Sequence, residues 1–183
     1  VRRCDQDGNE WLSEYSKANA EQRLAYHIKR ILSYRSILPT YGYTMYGLSE
    51  HQVGIVGELI RNSLMILAGS PGTGKTYSGA VILKRAIQQF GEKGIVVCAP
   101  TGKAAVRITE AMQQYKLPFQ ATTIHTALGV LGCDHGDWRF RRCETLPLEQ
   151  QLIVIDELSM CDTPLMAAVL AAVPKGGNVL MIG

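Results

Sequence analysis

Residues 69–76 read GSPGTGKT, a complete match to the pattern G-x-x-x-x-G-K-[ST]. The apolar run Leu64–Ala68 precedes it, and a helical pattern, Lys75–Phe90, follows. Strand, glycine-rich loop and helix in that order form a cradle for phosphate. Gly69, Gly72 and Gly74 permit backbone dihedrals that a Cβ forbids. The N–H groups of Ser70, Pro71's neighbours, Thr73 and Gly74 can then turn inward on phosphate oxygens, helped by the positive end of the following helix. Lys75 brings a mobile ammonium to the outer phosphates, and the Thr76 hydroxyl is a ligand for Mg²⁺. The whole of 69–76 is therefore expected to bind ATP with Mg²⁺.

Outward from this loop the chain alternates. Apolar runs at Leu64–Ala68, Ile95–Ala99, Leu152–Ile155 and Val179–Ile182 lack polar alternation, as in parallel strands buried on both faces. Helical patterns at Lys75–Phe90, Gly102–Tyr115 and Pro164–Ala172 separate them. This predicts an α/β fold, a parallel sheet flanked by helices. The third run ends in two acids, LIVIDE at 152–157. At a strand's C-terminal tip, Asp156 suits Mg²⁺ opposite Thr76. Glu157 suits the general base, or water-orienting group, for attack on the γ-phosphate. Lys75 and Glu157 are the candidate catalytic residues.

The flanks are less regular. Ala18 to Tyr34 reads as an amphipathic helix with Leu24, Ile28, Ile31 and Leu32 on one face, and Pro39 to Gly47 as a loop. Residues 1–47 are expected to form a helical segment and linker, and residues 48–183 the phosphate-binding domain, beginning with a helix from Ser49 to about Arg61. The stretch 129–148 interrupts the alternation as an inserted hairpin or loop. A calcium loop at DQDGNE fails, because Gly8 is misplaced and the terminal acid is missing.

With 183 residues, 46% hydrophobic and a formal charge of +3, the chain can build one core and tolerate a nucleic-acid partner without demanding one. Five irregularly spaced cysteines argue against a secreted disulfide framework. Zinc on Cys133, His135 and Cys143 would lack any paired C-x-x-C. Apolar runs are too short for a membrane span, and no secretory signal opens the sequence. A cytoplasmic location without membrane contact is the expectation.

Between and around the phosphate motifs stand APTGKAA (99–105), TTIHTALG (122–129) and VIDELSM (154–160). As an ordered set they resemble the RecD-like branch of superfamily 1 helicases, the exodeoxyribonuclease V alpha and conjugative relaxase-helicase type. The resemblance covers residues 48–183. It implies a RecA-like P-loop domain, the first motor domain of an ATP-driven DNA helicase moving 5′-to-3′ on single-stranded DNA. It further implies that Pro100, Thr101, Gly102 and Lys103 meet the DNA backbone, and that Thr123 and His125 face DNA. Lys103 could instead be a solvated helix residue, and His125 a structural hydrogen-bonder.

Gln52 matches the family's adenine-reading glutamine, but Ser49-Glu-His-Gln52 also fits a capping box. The insertion GCDHGDWRFRRCETLP stands where the family carries a duplex-parting hairpin; its aromatics could equally pack on the domain. The family continues beyond VLMIG (179–183) into G-D-x-x-Q and a second RecA-like domain that supplies an arginine finger. That domain of the same longer protein is the expected partner, and the sequence reads as truncated before it. Two rivals stay open: a P-loop ATPase that does not translocate, of AAA+ switch type, and a nucleic-acid-binding module with a vestigial ATPase.

Overall fold

A computed structural model describes residues 2–4, 10–12, 14–36, 50, 53, 54, 57, 61–70, 72–134 and 137–183. Strands β1 (Arg2–Cys4) and β2 (Glu10–Leu12) pair antiparallel, and helix α1 (Tyr15–Leu32) follows. Then come β3 (Leu64–Leu67), α2 (Lys75–Phe90), β4 (Ile95–Ala99), α3 (Gly102–Gln114), β5 (Thr122–Thr123) and α4 (Ile124–Leu128). The antiparallel hairpin β6 (Val130–Asp134) and β7 (Asp137–Phe140) leads to β8 (Leu152–Ile155), α5 (Thr163–Ala171) and β9 (Asn178–Ile182).

Five strands form one parallel sheet in the order β3-β9-β8-β4-β5. Two of the three interior strands are wholly buried, LIVI in β8 and NVLMI in β9. Their side chains alternate between two cores. Leu152, Val154, Leu180 and Ile182 pack with α2 and α3 on one face; Ile153, Ile155, Val179 and Met181 pack with α4, α5 and Ile31 of α1 on the other. Helices on both faces explain why the strands carry no polar alternation. At the edge, β3 bares Ile66, 53% exposed.

Most expected elements stand within a residue or two of their places, and α2 keeps its bounds. The structure differs at α1, which starts at Tyr15 and leaves Leu32 exposed. Ile31 is buried and Leu24 and Ile28 pack beside it as expected, and Ala18, Ala20 and His27 are buried as well. That face lies on α5, and Arg30 donates to the carbonyls of Leu170 and Val173 at that helix's C-terminal end. The β1–β2 pair, β5 and α4 had no sequence signal long enough to read. Of the helix expected over 49–61, residues 50, 53, 54 and 57 are helical, and most others lie outside the described residues.

Candidate nucleotide and nucleic-acid site

The phosphate loop leaves β3 and enters α2 through two left-handed glycines, Gly72 (φ 80°) and Gly74 (φ 81°). At 3.0 Å from Thr73 Oγ1, a Cβ on Gly69 would crowd the loop. The Thr73 N–H and hydroxyl both donate to the Ser70 carbonyl, at 3.3 and 2.8 Å. Beside the loop, Gly183 N–H donates to Leu67 O at 3.1 Å, and Gly69 N–H to Gly183 O at 3.3 Å. The β3–β9 ladder thus runs on into the cradle. The Lys75 ammonium folds over the loop and donates to the carbonyls of Gly69 and Ser70. Thr76 sits half-buried in the first turn of α2.

Asp156 extends β8, its N–H donating to Cys98 O of β4 at 3.1 Å. One strand, β9, separates β8 from β3, so the acids and the loop stand about two strand spacings apart, roughly 10 Å. Burial pushes the Asp156 carboxyl above its ordinary value, and the neighbouring Glu157 charge adds to this. The Glu157 N–H, donating to Asp156 Oδ1 at 2.8 Å, and the Lys75 ammonium pull the other way. Glu157 adopts φ 59° and ψ 45°, a left-handed conformation costing about 1–3 kcal/mol in a residue with a Cβ. From it the chain turns sharply: Met160 N–H returns to Glu157 O at 3.0 Å.

At the same C-terminal edge of the sheet opens a groove of about 780 Å³. Pro100 and Thr101, just past β4, line it together with His125 of α4 and Trp138 and Arg139 of the hairpin. The His125 ring meets Trp138 edge-on at 4.9 Å and Phe140 at 5.7 Å. Trp138 nonetheless stays 50% exposed. The hairpin's aromatics thus lean on His125 of the domain, as the packing reading expects. Gly102 and Thr123 line a different, shallower hollow of about 390 Å³. Lys103 lies exposed on α3 and lines neither. Thr101 and Thr123 are also N-caps, their hydroxyl oxygens accepting from Ala104 N–H and Thr126 N–H. Gln52, Pro71 and His135 lie outside the described residues. Among the described residues, no group of three or more His, Cys, Asp or Glu could hold a metal ion.

A family profile described as an AAA domain matches residues 52–183. The ATP-dependent RecD2 DNA helicase of Deinococcus radiodurans is 38% identical over 137 residues, which are 75% of this chain and 18% of that protein. The RecBCD enzyme subunit RecD of Haemophilus influenzae is 30% identical over 191 residues, covering 89% of this chain and 29% of that one. The chain belongs to the RecD-like branch of superfamily 1 helicases. Its fold agrees: the crystal structure of Pif1 helicase from Candida albicans superposes with a TM-score of 0.51 at 25% identity, covering 76% of this chain and 33% of that one.

The RecD-like chain spans under a third of the length of these curated relatives. The Haemophilus match also reaches back into the first forty-seven residues, where the motifs were silent. Within the RecD-like fold, Lys75 and Glu157 act electrostatically on Asp156, and Pro100, Thr101 and His125 line one groove. The part of α1 in walling that groove was missed, because its sequence offers no motif. No helix among the described residues is long and apolar enough to cross a membrane.

Proposed function

We propose that this chain is the ATP-binding motor domain of a cytoplasmic DNA helicase, working with a second RecA-like domain of a longer protein to move 5′-to-3′ on single-stranded DNA. The observation that carries the reading is one sheet edge bearing both the Lys75–Asp156–Glu157 cluster and the groove of Pro100, Thr101 and His125. Ligands of open parallel sheets gather at that edge.

The residues fit Mg·ATP. The loop from Gly69 to Thr76 would wrap the phosphates with N–H donors in a space a Cβ at Gly69 would narrow. Lys75 would exchange the Gly69 and Ser70 carbonyls for phosphate oxygens. Thr76 and Asp156 offer the hard oxygen donors that Mg²⁺ prefers, and the raised proton affinity of Asp156 is what a nearby cation would offset. Bound Mg²⁺ supplies charge neutralisation on the phosphates. Glu157 would orient water and take its proton. Gln52 remains the proposed adenine contact. Gly102 and Lys103 remain proposed DNA-backbone contacts and Thr123 a proposed DNA-facing residue, although they lie outside the larger groove.

Titration calorimetry with Mg·ATP tests the nucleotide site. Charge-assisted hydrogen bonds contribute about 1.5–3 kcal/mol, so Lys75→Ala should weaken binding roughly 10- to 100-fold. In the longer helicase, Glu157→Gln should abolish turnover and spare ATP binding. Unchanged affinity in Lys75→Ala would remove this lysine from the site.

A further inference from the structure

The groove at the sheet edge has a wall that the helicase motifs do not supply. Helix α1 contributes Tyr15, Asn19 and Arg23, spaced four residues apart and so stacked in one stripe along the helix. The same i, i+4 line continues into His27 and Ile31, which α1 buries with Ala18 and Ala20, so the stripe is the exposed N-terminal stretch beside that buried face. Trp138 and Arg139 of the β6–β7 hairpin line the same groove, as do Pro100, Thr101 and His125. Helix and hairpin thus each supply an aromatic ring and a guanidinium to the lining, and the hairpin adds Phe140.

The chemistry of the lining favours one kind of occupant. Tyr15 is 74% exposed and Trp138 50%, so ring faces are open on both sides, and the exposed Met160 and Leu131 add further apolar surface. Arg23, Arg139 and Arg142 face a single carboxylate, Asp162, which already accepts Leu165 N–H as the cap of α5. Arg139 and Arg142 have acid partners of their own, Asp134 and Glu149. Among the described residues Arg23 has none. Flat apolar faces alternating with cations match unpaired bases strung on phosphates. Paired bases hide their faces within the stack and gain nothing from such rings.

We propose that α1 is the second wall of a single-strand nucleic-acid groove, with Tyr15 stacking on a base opposite Trp138 and Arg23 neutralising an adjacent phosphate. This rests on the DNA-motor reading above and extends it to a helix outside the motif-bearing domain. It assigns residues 15–23 a share in holding the strand.

Fluorescence anisotropy of the 183-residue chain tests it, with a labelled oligothymidylate and a duplex of equal length as probes, at several salt concentrations. Tyr15→Ala should weaken single-strand binding roughly fivefold or more, and Tyr15→Phe should restore it to within about twofold. Arg23→Ala should lower the salt slope by about 0.7. Lys17→Ala removes the same charge from an exposed α1 position outside the groove, and should change neither. Unfolding midpoints measured alongside should stay at the wild-type value, since Tyr15 and Arg23 are exposed. Wild-type affinity in both Tyr15→Ala and Arg23→Ala, with binding lost in His125→Ala, would overturn the α1 wall and leave the DNA reading standing. Equal losses for duplex and single strand would overturn the stacking role. A wild-type chain that binds neither probe would instead bring down the DNA reading itself.

Discussion

Replacing Arg30 by alanine removes the guanidinium that ties α1 to the end of α5. Its Nη2 donates to Leu170 O at 2.7 Å and Val173 O at 3.2 Å, and Nη1 to Val173 O at 3.1 Å. The side chain is only 13% exposed, and both acceptors belong to residues without solvent access. The losses are unequal. Leu170 O keeps a second donor, Val173 N–H at 3.3 Å, so it forfeits one bond, about 1 kcal/mol. Val173 O shows no other donor among the described residues, and a buried acceptor left unsatisfied costs about 1–3 kcal/mol. Loss of a cation at a helix C-terminus adds about 0.3–1 kcal/mol. The contact with Glu144, at 3.9 Å and 47% exposed on the acid's side, adds little. Together Arg30→Ala should destabilise the chain by about 3 kcal/mol. Arg30→Lys should recover only part of this, because one ammonium cannot reproduce the fork that spans two carbonyls. Urea unfolding followed by circular dichroism gives both values at constant slope. A loss below about 1 kcal/mol for alanine, or a lysine variant equal to wild type, would mean that α1 is not held this way.

Asp156→Asn should raise the unfolding midpoint while abolishing Mg²⁺-dependent hydrolysis. Burial holds its proton affinity above normal, so the ionised form costs folding stability at neutral pH, and the cost fades as pH falls through the folded pKa toward 3.8. A less stable variant would contradict this. His27 shows the opposite sign: burial first, then the Arg30 and Arg23 charges, lower its pKa from 6.5, against an opposing pull from Glu144. Its contribution is intact above about pH 6.5 and should be lost as pH falls from there toward the lowered folded value. Urea midpoints between pH 7.5 and 5 should therefore fall less steeply in His27→Gln, and equal slopes would exclude His27 as a source of acid sensitivity.

The cradle was legible because every position of GSPGTGKT answers a local demand: left-handed backbone at Gly72 and Gly74, a cation, a hydroxyl. The buried strands were legible as unbroken apolar runs, since residues such as Val154 and Ile155 must satisfy opposite cores at once. Strand order was not, because placing β9 between β3 and β8 is a long-range pairing that no local pattern encodes. Nor was the seat of α1. Ala18 and Ala20 carry little apolar signal, and His27 and Arg30 none, yet α1 buries the first three and Arg30 bonds to α5. Thr101 and Thr123, read as DNA contacts by resemblance, also have a local task in capping α3 and α4.

The two sites share a backbone, and this limits how independently they can vary. The turn after Glu157 closes on itself through Met160 N–H, and Met160 already lines the groove. Two residues later Asp162 caps α5, the helix on which Arg30 anchors α1. In the other direction, Leu158 of the same turn packs on the end of β9, where a Cβ on Gly183 would come within 3.1 Å of Leu158 Cβ. Gly183 in turn is hydrogen-bonded to both flanks of the phosphate loop, Leu67 and Gly69. A side chain at 183 would therefore press on Leu158 in that turn, from a residue whose backbone also holds the phosphate loop. Relaxing the left-handed backbone at Glu157 would shift Met160 in the groove as well as the Glu157 carboxylate. Strain of this kind persists only where the surroundings over-determine it, and here Gly183 abuts Leu158 while the Met160 and Cys161 N–H groups close the turn on Glu157 and Leu158.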